Sequence, residues 1–183
     1  REGKEGFTKS SFSAYRERSL GLGAMGFHAY LQKNNIPFEG IFATGFNNKA
    51  FNHIKTKSVA ASKVLAENRG EAPDISGSGM RNAHLLAVAP NASSSIICGG
   101  TSPSIETADE LNQIWIVEHA HMRQQYICQS QSVNLFFTLP KTTDSQEIHD
   151  DYMQYVNDVH WYAMHKLKSL YYFRSDAART AEN

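Results

Sequence analysis

Cysteine is scarce in this sequence. Only Cys98 and Cys128 occur among 183 residues, and they form no Cys-X-X-Cys pair. Neither a disulfide framework nor a zinc knuckle is therefore indicated, because both need more numerous or closely spaced cysteines. We expect both thiols to be reduced and buried.

Long hydrophobic runs and an excess of one charge are also lacking. No apolar stretch approaches the roughly 20 residues that span a bilayer, and the N-terminal REGKEGFTKS does not resemble a signal peptide. The 18 basic and 18 acidic side chains cancel, so nothing in the charge favours nucleic acid or an anionic membrane. The expected compartment is the cytoplasm. Because the chain begins at Arg1 without an initiator Met, we expect it to be part of a longer protein.

The clearest local pattern lies in residues 81–106, RNAHLLAVAPNASSSIICGGTSPSIE. Residues 83–89 form an apolar run of strand length that stops at Pro90. The Asn and Ser residues that follow are typical of a helix start, and Gly99-Gly100 is typical of a helix end. The stretch therefore predicts a strand, a turn and a helix of one or two turns.

The predicted helix start could hold an anion. Its first backbone N–H groups have no partner inside the helix, and the serine hydroxyls nearby are further donors. Lys and Arg are absent between Asn82 and Thr107, so a phosphate here would be held by neutral donors, which suits reversible binding of a substrate. The alternative is a serine-rich capped turn that binds nothing.

Two shorter motifs suggest cofactors, but their context argues against both. GLGAMG at residues 21–26 matches GxGxxG, yet the dinucleotide fingerprint needs a hydrophobic strand before the glycines, and SAYRER at residues 13–18 is not one. We expect these glycines to permit close packing of a helix on its neighbour. Glu118, His119 and His121 suggest a metal, but histidines two apart on a helix point to different faces, which favours polar surface or hydrogen-bonded histidines.

The rest of the chain has patterns of helix, strand and loop. Loops are predicted over residues 1–15, 70–80 and 141–146. Helices are predicted from Arg18 to about residue 33, over 47–68, from 107 or 108 to about 125 with a capping box at Thr107 and Glu110, and over 148–166. Strands are predicted over 132–139 and 167–174. This alternation predicts an α/β architecture.

Two blocks of the sequence resemble a known family. RNAHLLAVAPNASSSIICGGTSPSIE closely resembles the phosphate-binding segment of the large (alpha) subunit of class I ribonucleotide reductases, of the phage and bacterial type. LKSLYYFR at residues 167–174 resembles that family's final barrel strand with its tyrosine pair, and residues 18–32 and 107–137 also fit in the right order. The resemblance implies that residues 1–183 form a single partial domain, the C-terminal portion of a ten-stranded α/β barrel.

The resemblance also implies an activity. The family reduces ribonucleoside diphosphates to deoxyribonucleoside diphosphates through a protein radical, a step of deoxyribonucleotide biosynthesis and DNA replication. By resemblance, Pro90, Asn91, Ala92, Ser93 and Ser94 would bind the diphosphate of the substrate.

Tyr171 and Tyr172 match the tyrosine pair that passes the radical from the small subunit toward the active-site cysteine of the family. A phenol has a pKa near ~10, so its oxidation at neutral pH must release a proton together with the electron. Neighbours on a regular strand point to opposite faces, so the backbone must bend here if both rings are to lie on one path. The alternative is two aromatic side chains on a buried strand.

The partners implied by the resemblance are a ribonucleoside diphosphate, a ribonucleotide reductase small subunit and the N-terminal part of the large subunit; neither nucleic acid nor a membrane is expected. No cofactor is expected in this chain. The family uses a radical-bearing metal centre in the small subunit, and thioredoxin or glutaredoxin as reductant. Because the thiyl and redox cysteines of the family have no counterpart here, this chain alone should not turn over.

One junction departs from the family pattern. Family members carry several dozen residues between the equivalents of Glu106 and Thr107, which adjoin here. A true deletion would remove cover from the barrel mouth, whereas a segment omitted from the sequence would leave the molecule intact. Two other hypotheses therefore stay open: a truncated, non-catalytic remnant that keeps the scaffold and binds a nucleotide or a partner, and an unrelated phosphate-binding α/β module.

Overall fold

The computed structural model describes residues 8–102, 112–137 and 146–175. The helices are α1 (Thr8–Glu17), α2 (Phe27–Lys33), α3 (Ile41–Arg69), α4 (Ala92–Ile97), α5 (Gln113–Gln124) and α6 (Gln146–Lys166), and a 3₁₀ turn covers Pro73–Ile75. The strands are β1 (Asn134–Phe137) and β2 (Tyr172–Ser175). None of the helices in these ranges is both long and apolar enough to cross a membrane.

The two strands and two shorter extended segments form a parallel array. β1 pairs with β2 in parallel. Two isolated parallel bridges continue the pairing, Val88 with Gln131 and Leu22 with Leu86. The order across the array is therefore the segment at Leu22, the segment at Leu86, β1 and β2. Parallel neighbours joined through helices make an α/β architecture, as the sequence predicts.

The core lies between this array and the helices. α5 packs against α3, α6 and β1. Along β1 the burial alternates, with Leu135 and Phe137 buried and their neighbours partly exposed, so one face of the strand is turned to the helices. The largest fully buried apolar side chains of the core are Leu31, Phe51, Leu86, Ile116, Leu135, Val117, Val133 and Val159.

Replacement of Phe51 should test this packing. Phe51 and Phe42 lie on the same helix, α3, but Phe51 is 1% exposed and Phe42 is 78% exposed. We expect Phe51→Ala to lower the free energy of unfolding by about 3–5 kcal/mol, because it removes a buried ring and leaves a cavity. Phe42→Ala should change it by less than about 0.5 kcal/mol. Urea unfolding followed by circular dichroism measures both, and equal effects would contradict the assigned core.

Two predictions near the N-terminus are wrong. Residues 8–15, predicted as a loop, lie in α1, which has no buried residue. Residues 18–26, predicted as helical, are not: Leu22 donates its N–H to the Leu85 carbonyl at 2.8 Å, and the helix begins at Phe27. Three of the six residues 21–26 are glycine, which weakens a helix. The segment at Leu85, with which Leu22 pairs, is far away in the sequence.

Other element boundaries also differ from the predictions. α3 begins at Ile41 instead of Asn47, β1 begins at Asn134 instead of residue 132, and β2 begins at Tyr172 instead of residue 167. α5 begins at Gln113, where the Asn112 side chain accepts a hydrogen bond from the Ile114 N–H. The predicted capping box of Thr107 and Glu110, and most of the predicted loop over 141–146, lie outside the described residues. The ends of α2, α3 and α6 agree with the predictions.

His119 is buried in the core beside α2. It is 1% exposed and lies against the rings of Phe27 and Phe38, and its Nε2–H donates to the Phe38 carbonyl at 2.9 Å. His121 is exposed, so the two histidines occupy different faces, as predicted. Burial lowers the pKa of His119 below its ordinary value, and Arg123 adds to this, whereas the Phe38 carbonyl and Glu118 act in the opposite direction. The described ranges contain no group of three His, Cys, Asp or Glu side chains that could hold a metal.

The lowered pKa of His119 predicts a pH dependence of stability. The unfolded chain binds a proton at this histidine more readily than the folded chain, so the free energy of unfolding should fall as the pH drops below about 6.5. We expect His119→Gln to flatten part of this fall between about pH 7 and pH 5, whereas replacing the exposed His53 by Gln should not. Urea unfolding at a series of pH values measures the slope. A slope that His119→Gln leaves unchanged would refute the prediction.

Candidate functional site

The segment that leads into the turn is hydrogen-bonded to neighbouring segments on both sides. Val88 donates its N–H to the Ser130 carbonyl at 3.1 Å and its carbonyl accepts from the Ser132 N–H at 2.8 Å, whereas Ala87 donates to the Leu22 carbonyl on the other side at 2.9 Å. After Pro90 the chain turns at Asn91, which has a left-handed backbone with φ 46°, and α4 begins at Ala92. The predicted strand is limited to isolated bridges, whereas the predicted turn and short helix are confirmed.

The start of α4 leaves several donors available. The first bond inside the helix runs from the Ser95 N–H to the Asn91 carbonyl at 3.0 Å, so the N–H groups of Ala92, Ser93 and Ser94 have no acceptor among the described residues. The Asn91 side chain does not cap them, because its Nδ2 donates to the Ala89 carbonyl at 3.1 Å. With exposed side chains at Ser93 and Ser94, this turn presents amide and hydroxyl donors without a cation.

A cavity of about 260 Å³ lies beside this turn. Asn91 and Ser94 line one side of it. The residues that complete the lining are Gly21, Gly23, Ala24, Met25, Ala87 and Ala89. Sequence reasoning assigned the GLGAMG segment to packing alone and missed its place in the same cavity lining as Ser94. The signal was the run of small residues, which allows the backbone to approach a neighbouring strand.

A second cavity, of about 490 Å³, adjoins the first. Tyr171 lines it, together with Ser130 and Ser169, whose hydroxyls share a hydrogen bond. The remaining lining residues are Gly21, Ala87, Val88, Ala89, Pro90, Gln129, Gln131, Ser132 and Leu170. Gly21, Ala87 and Ala89 therefore line both cavities. The structure thus brings the turn at Asn91 and the ring of Tyr171 to neighbouring spaces.

The rings of Tyr171 and Tyr172 touch each other. Their centroids are 4.2 Å apart and their planes are inclined by 60°. Tyr171 lies just before β2, where its N–H donates to the Val133 carbonyl at 2.9 Å, and Tyr172 is the first residue of the strand. The two rings are therefore close enough for one path, because Tyr171 is outside the regular strand. Within the described part of the chain, the side chains of Tyr171 and Tyr172 are 48% and 47% exposed.

Neither cysteine is buried, so that prediction is wrong. Cys98 and Cys128 are both free thiols and exposed. Cys98 follows α4, whose Ile96 and Ile97 side chains are also exposed. The sulfur of Cys128 accepts hydrogen bonds from two backbone N–H groups, at 3.1 and 3.2 Å, in the turn after α5. Local hydrophobicity is a poor guide to burial at such element ends.

Parallel extended segments covered by helices are typical of part of an α/β barrel. A donor-rich turn follows one of these segments, and a tyrosine pair lies at the next strand but one. The sequence model of the family described as "Ribonucleotide reductase, barrel domain" matches residues 7–78 and 103–173. The chain belongs to this family. The matched ranges pass over residues 79–102, which contain the turn at Asn91.

Individual relatives agree with this assignment. A protein of Frog virus 3 named "Putative ribonucleoside-diphosphate reductase large subunit" is 36% identical and aligns with 92% of this chain and 39% of its own length. The large subunit of Invertebrate iridescent virus 3 is 32% identical over 93% of this chain and 36% of its own. In structure, the class Id ribonucleotide reductase alpha subunit of Actinobacillus ureae has a TM-score of 0.80 and 28% identity, covering 96% of this chain and 42% of that one. The chain spans about two fifths of the length of these relatives.

The alignments with the relatives contain positions that have no counterpart in this chain. The alignment with the Frog virus 3 protein runs over 232 positions, whereas 92% of 183 residues is about 168, a difference of about 64. For the Invertebrate iridescent virus 3 protein the corresponding figures are 237 and about 170, a difference of about 67. This agrees in size with the several dozen residues expected to be missing. The predicted junction, between Glu106 and Thr107, lies outside the described residues.

Proposed function

We propose that this chain is the C-terminal part of a ribonucleoside-diphosphate reductase large subunit. In this role it contributes to the radical-based reduction of ribonucleoside diphosphates to deoxyribonucleoside diphosphates, in the cytoplasm. The observation that carries the proposal is the shared lining of the two cavities: Gly21, Ala87 and Ala89 line both the cavity at Asn91 and the cavity at Tyr171. A diphosphate site and a radical relay have to be neighbours in such an enzyme.

In this proposal Pro90, Asn91, Ala92, Ser93 and Ser94 bind the diphosphate. Three unpartnered backbone N–H groups and two exposed hydroxyls support the assignment, since phosphate oxygens accept hydrogen bonds readily at such a turn. The cavity lining contains neither Lys nor Arg. Binding by neutral donors is weaker than by a cation and suits a product that must leave after each cycle.

Tyr171 and Tyr172 act as the radical relay in this proposal. When one phenol is oxidised, it loses an electron to the neighbouring radical and releases its O–H proton, and the neighbour takes up both. The edge contact of the two rings at 4.2 Å supports such a transfer. The cysteine that receives the radical would come from the N-terminal part of the large subunit.

We assign the radical-bearing metal centre to a small subunit and the supply of electrons to thioredoxin or glutaredoxin. The chain would contribute no cofactor of its own. The sheet of β1 and β2 would be part of the barrel that the N-terminal part of the large subunit completes.

A reconstitution tests the proposal. The chain is mixed with an N-terminal large-subunit part and a radical-bearing small subunit, and the conversion of cytidine diphosphate to its deoxy form is followed. Association of the chains is measured in the same samples by analytical ultracentrifugation. Product formation that depends on this chain supports the proposal, and association without product refutes catalytic competence.

The second candidate is a non-catalytic remnant. The observation in its favour is the set of about 64 positions in the alignment with the Frog virus 3 relative that have no counterpart in this chain. A remnant would bind cytidine diphosphate, or associate with the other subunit parts, without producing the deoxy form. Restoring the segment from a relative at the junction of Glu106 and Thr107 distinguishes the two, because a remnant limited by this loss should then gain activity.

A further inference from the structure

Four residues of the GLGAMG segment share the lining of the 260 Å³ cavity with Ser94. They are Gly21, Gly23, Ala24 and Met25. Among the described residues, the N–H groups of Ala24 and Met25 donate no hydrogen bond. Unpaired amides beside a cavity are donors that a bound group can use.

Gly23 fixes how closely this segment approaches the strand that leads to the turn. A Cβ atom on Gly23 would lie 2.6 Å from the Ala87 carbonyl oxygen and 3.2 Å from the Val88 Cα atom. Both neighbours are backbone, so they cannot turn aside as a flexible side chain would. A larger residue must therefore displace either this segment or the strand that enters Pro90 and Asn91.

The chain after α4 anchors the other end of the same segment. The Gly26 N–H donates to the Ser102 carbonyl at 2.9 Å, and the Ser102 hydroxyl accepts from the Ala29 N–H at 3.3 Å in the first turn of α2. A Cβ atom on Gly26 would lie 2.7 Å from the Thr101 hydroxyl oxygen. The segment and the turn at Asn91 are thus held together at both ends.

We propose that residues 21–25 form the second wall of the diphosphate site. The Ala24 and Met25 N–H groups donate to phosphate oxygens from the side opposite Ser94, and Gly23 is a positioning residue that sets the width of the cavity. The inference rests on the proposed function, because it takes the diphosphate as the occupant. Donors on two sides of one cavity suit a ligand with two phosphoryl groups.

The first test compares two glycines in the reconstituted enzyme. Gly23→Ala should raise the KM for cytidine diphosphate at least about tenfold and change kcat less than about threefold, because it moves binding donors and not the relay. Gly45→Ala is the matched control: Gly45 lies within α3 with nothing within 4 Å of a built Cβ atom, and both constants should stay unchanged. Circular dichroism establishes that each variant is folded.

A second variant covers the case in which Gly23→Ala does not fold. Replacing the Met25 amide by an ester, through the α-hydroxy analogue of methionine, removes one N–H and keeps the side chain. Calorimetry should show about three- to tenfold weaker binding of cytidine diphosphate and of inorganic pyrophosphate. The same replacement at Ser76, which is exposed and far from the cavity lining, should have no effect.

The outcomes separate this inference from the proposed function. Unchanged binding in the Met25 ester, or an unchanged KM in folded Gly23→Ala, overturns the second wall while the diphosphate site remains. If the unaltered protein in the same complex binds neither cytidine diphosphate nor pyrophosphate, the proposed function itself fails.

Discussion

Tyr171→Phe should abolish nucleotide reduction in the reconstituted enzyme. The substitution removes one phenolic oxygen and keeps the ring, so the contact with Tyr172 at 4.2 Å is retained. A phenyl ring has no O–H proton to release and is far harder to oxidise than a phenol, so the radical cannot rest at this position. We expect no deoxycytidine diphosphate above background, with unchanged binding of cytidine diphosphate.

Tyr30→Phe is the matched control for this prediction. Tyr30 is 44% exposed, close to the 48% of Tyr171, and it stacks on Phe46 away from both cavities. Its replacement should leave the rate of product formation unchanged. Product formation by Tyr171→Phe within about twofold of the unaltered protein would exclude Tyr171 from the relay.

Ser94→Asp should have the largest effect on substrate binding. Ser94 lines the cavity beside the turn at Asn91, so a carboxylate here would face the phosphate groups. Two unit charges 4 Å apart repel each other by roughly 4 kcal/mol at an effective dielectric constant of 20. Because Ser94 is exposed and screening reduces this value, we expect the KM for cytidine diphosphate to rise about 100-fold, which corresponds to ~2.7 kcal/mol.

Two further variants separate repulsion from simple loss of a hydroxyl. Ser94→Ala removes one hydrogen-bond donor and should raise KM by about tenfold at most. Ser76→Asp adds the same charge at an exposed position outside both cavities and should leave KM unchanged. The effect of Ser94→Asp should also decrease with added salt, and an equal effect of both Asp variants would count against a phosphate at this turn.

The turn at Asn91 could be predicted because its signals are local. Pro90 ends an apolar run and Gly99-Gly100 ends the helix, so three consecutive elements are marked by residues within a short stretch. The ends of α2 and α3 are marked in the same way, by Asn34 and Gly70. These residues end a strand or helix through their own backbone conformation, so they can be recognised without knowledge of the tertiary fold.

The remaining features depend on distant partners. The apolar spacing of Leu20, Ala24, Phe27 and Leu31 fits a helix, yet Leu22 pairs with Leu86, and local periodicity contains no information about that pairing. The same limit applies to the cavities, because Gly23 and Ser94 are brought together only by the array. α1 was missed because none of its residues is buried. In the first turn of α3 only the small Ala43 is buried, whereas Ile41 and Phe42 are exposed, so the apolar pattern there is weak.

The parallel pairings have a consequence for how this chain folds. Leu22 pairs with Leu86, Val88 with Gln131, and β1 with β2, so each contact closes a long loop that contains a helix. The chain loses conformational entropy when such a loop closes, before the paired strands stabilise the fold. Parallel sheets are therefore slow to form. During this delay the apolar faces of α3, α5 and α6 are exposed to neighbouring molecules. Yield in expression should therefore depend on temperature and on chaperones more than on the stability of the final fold.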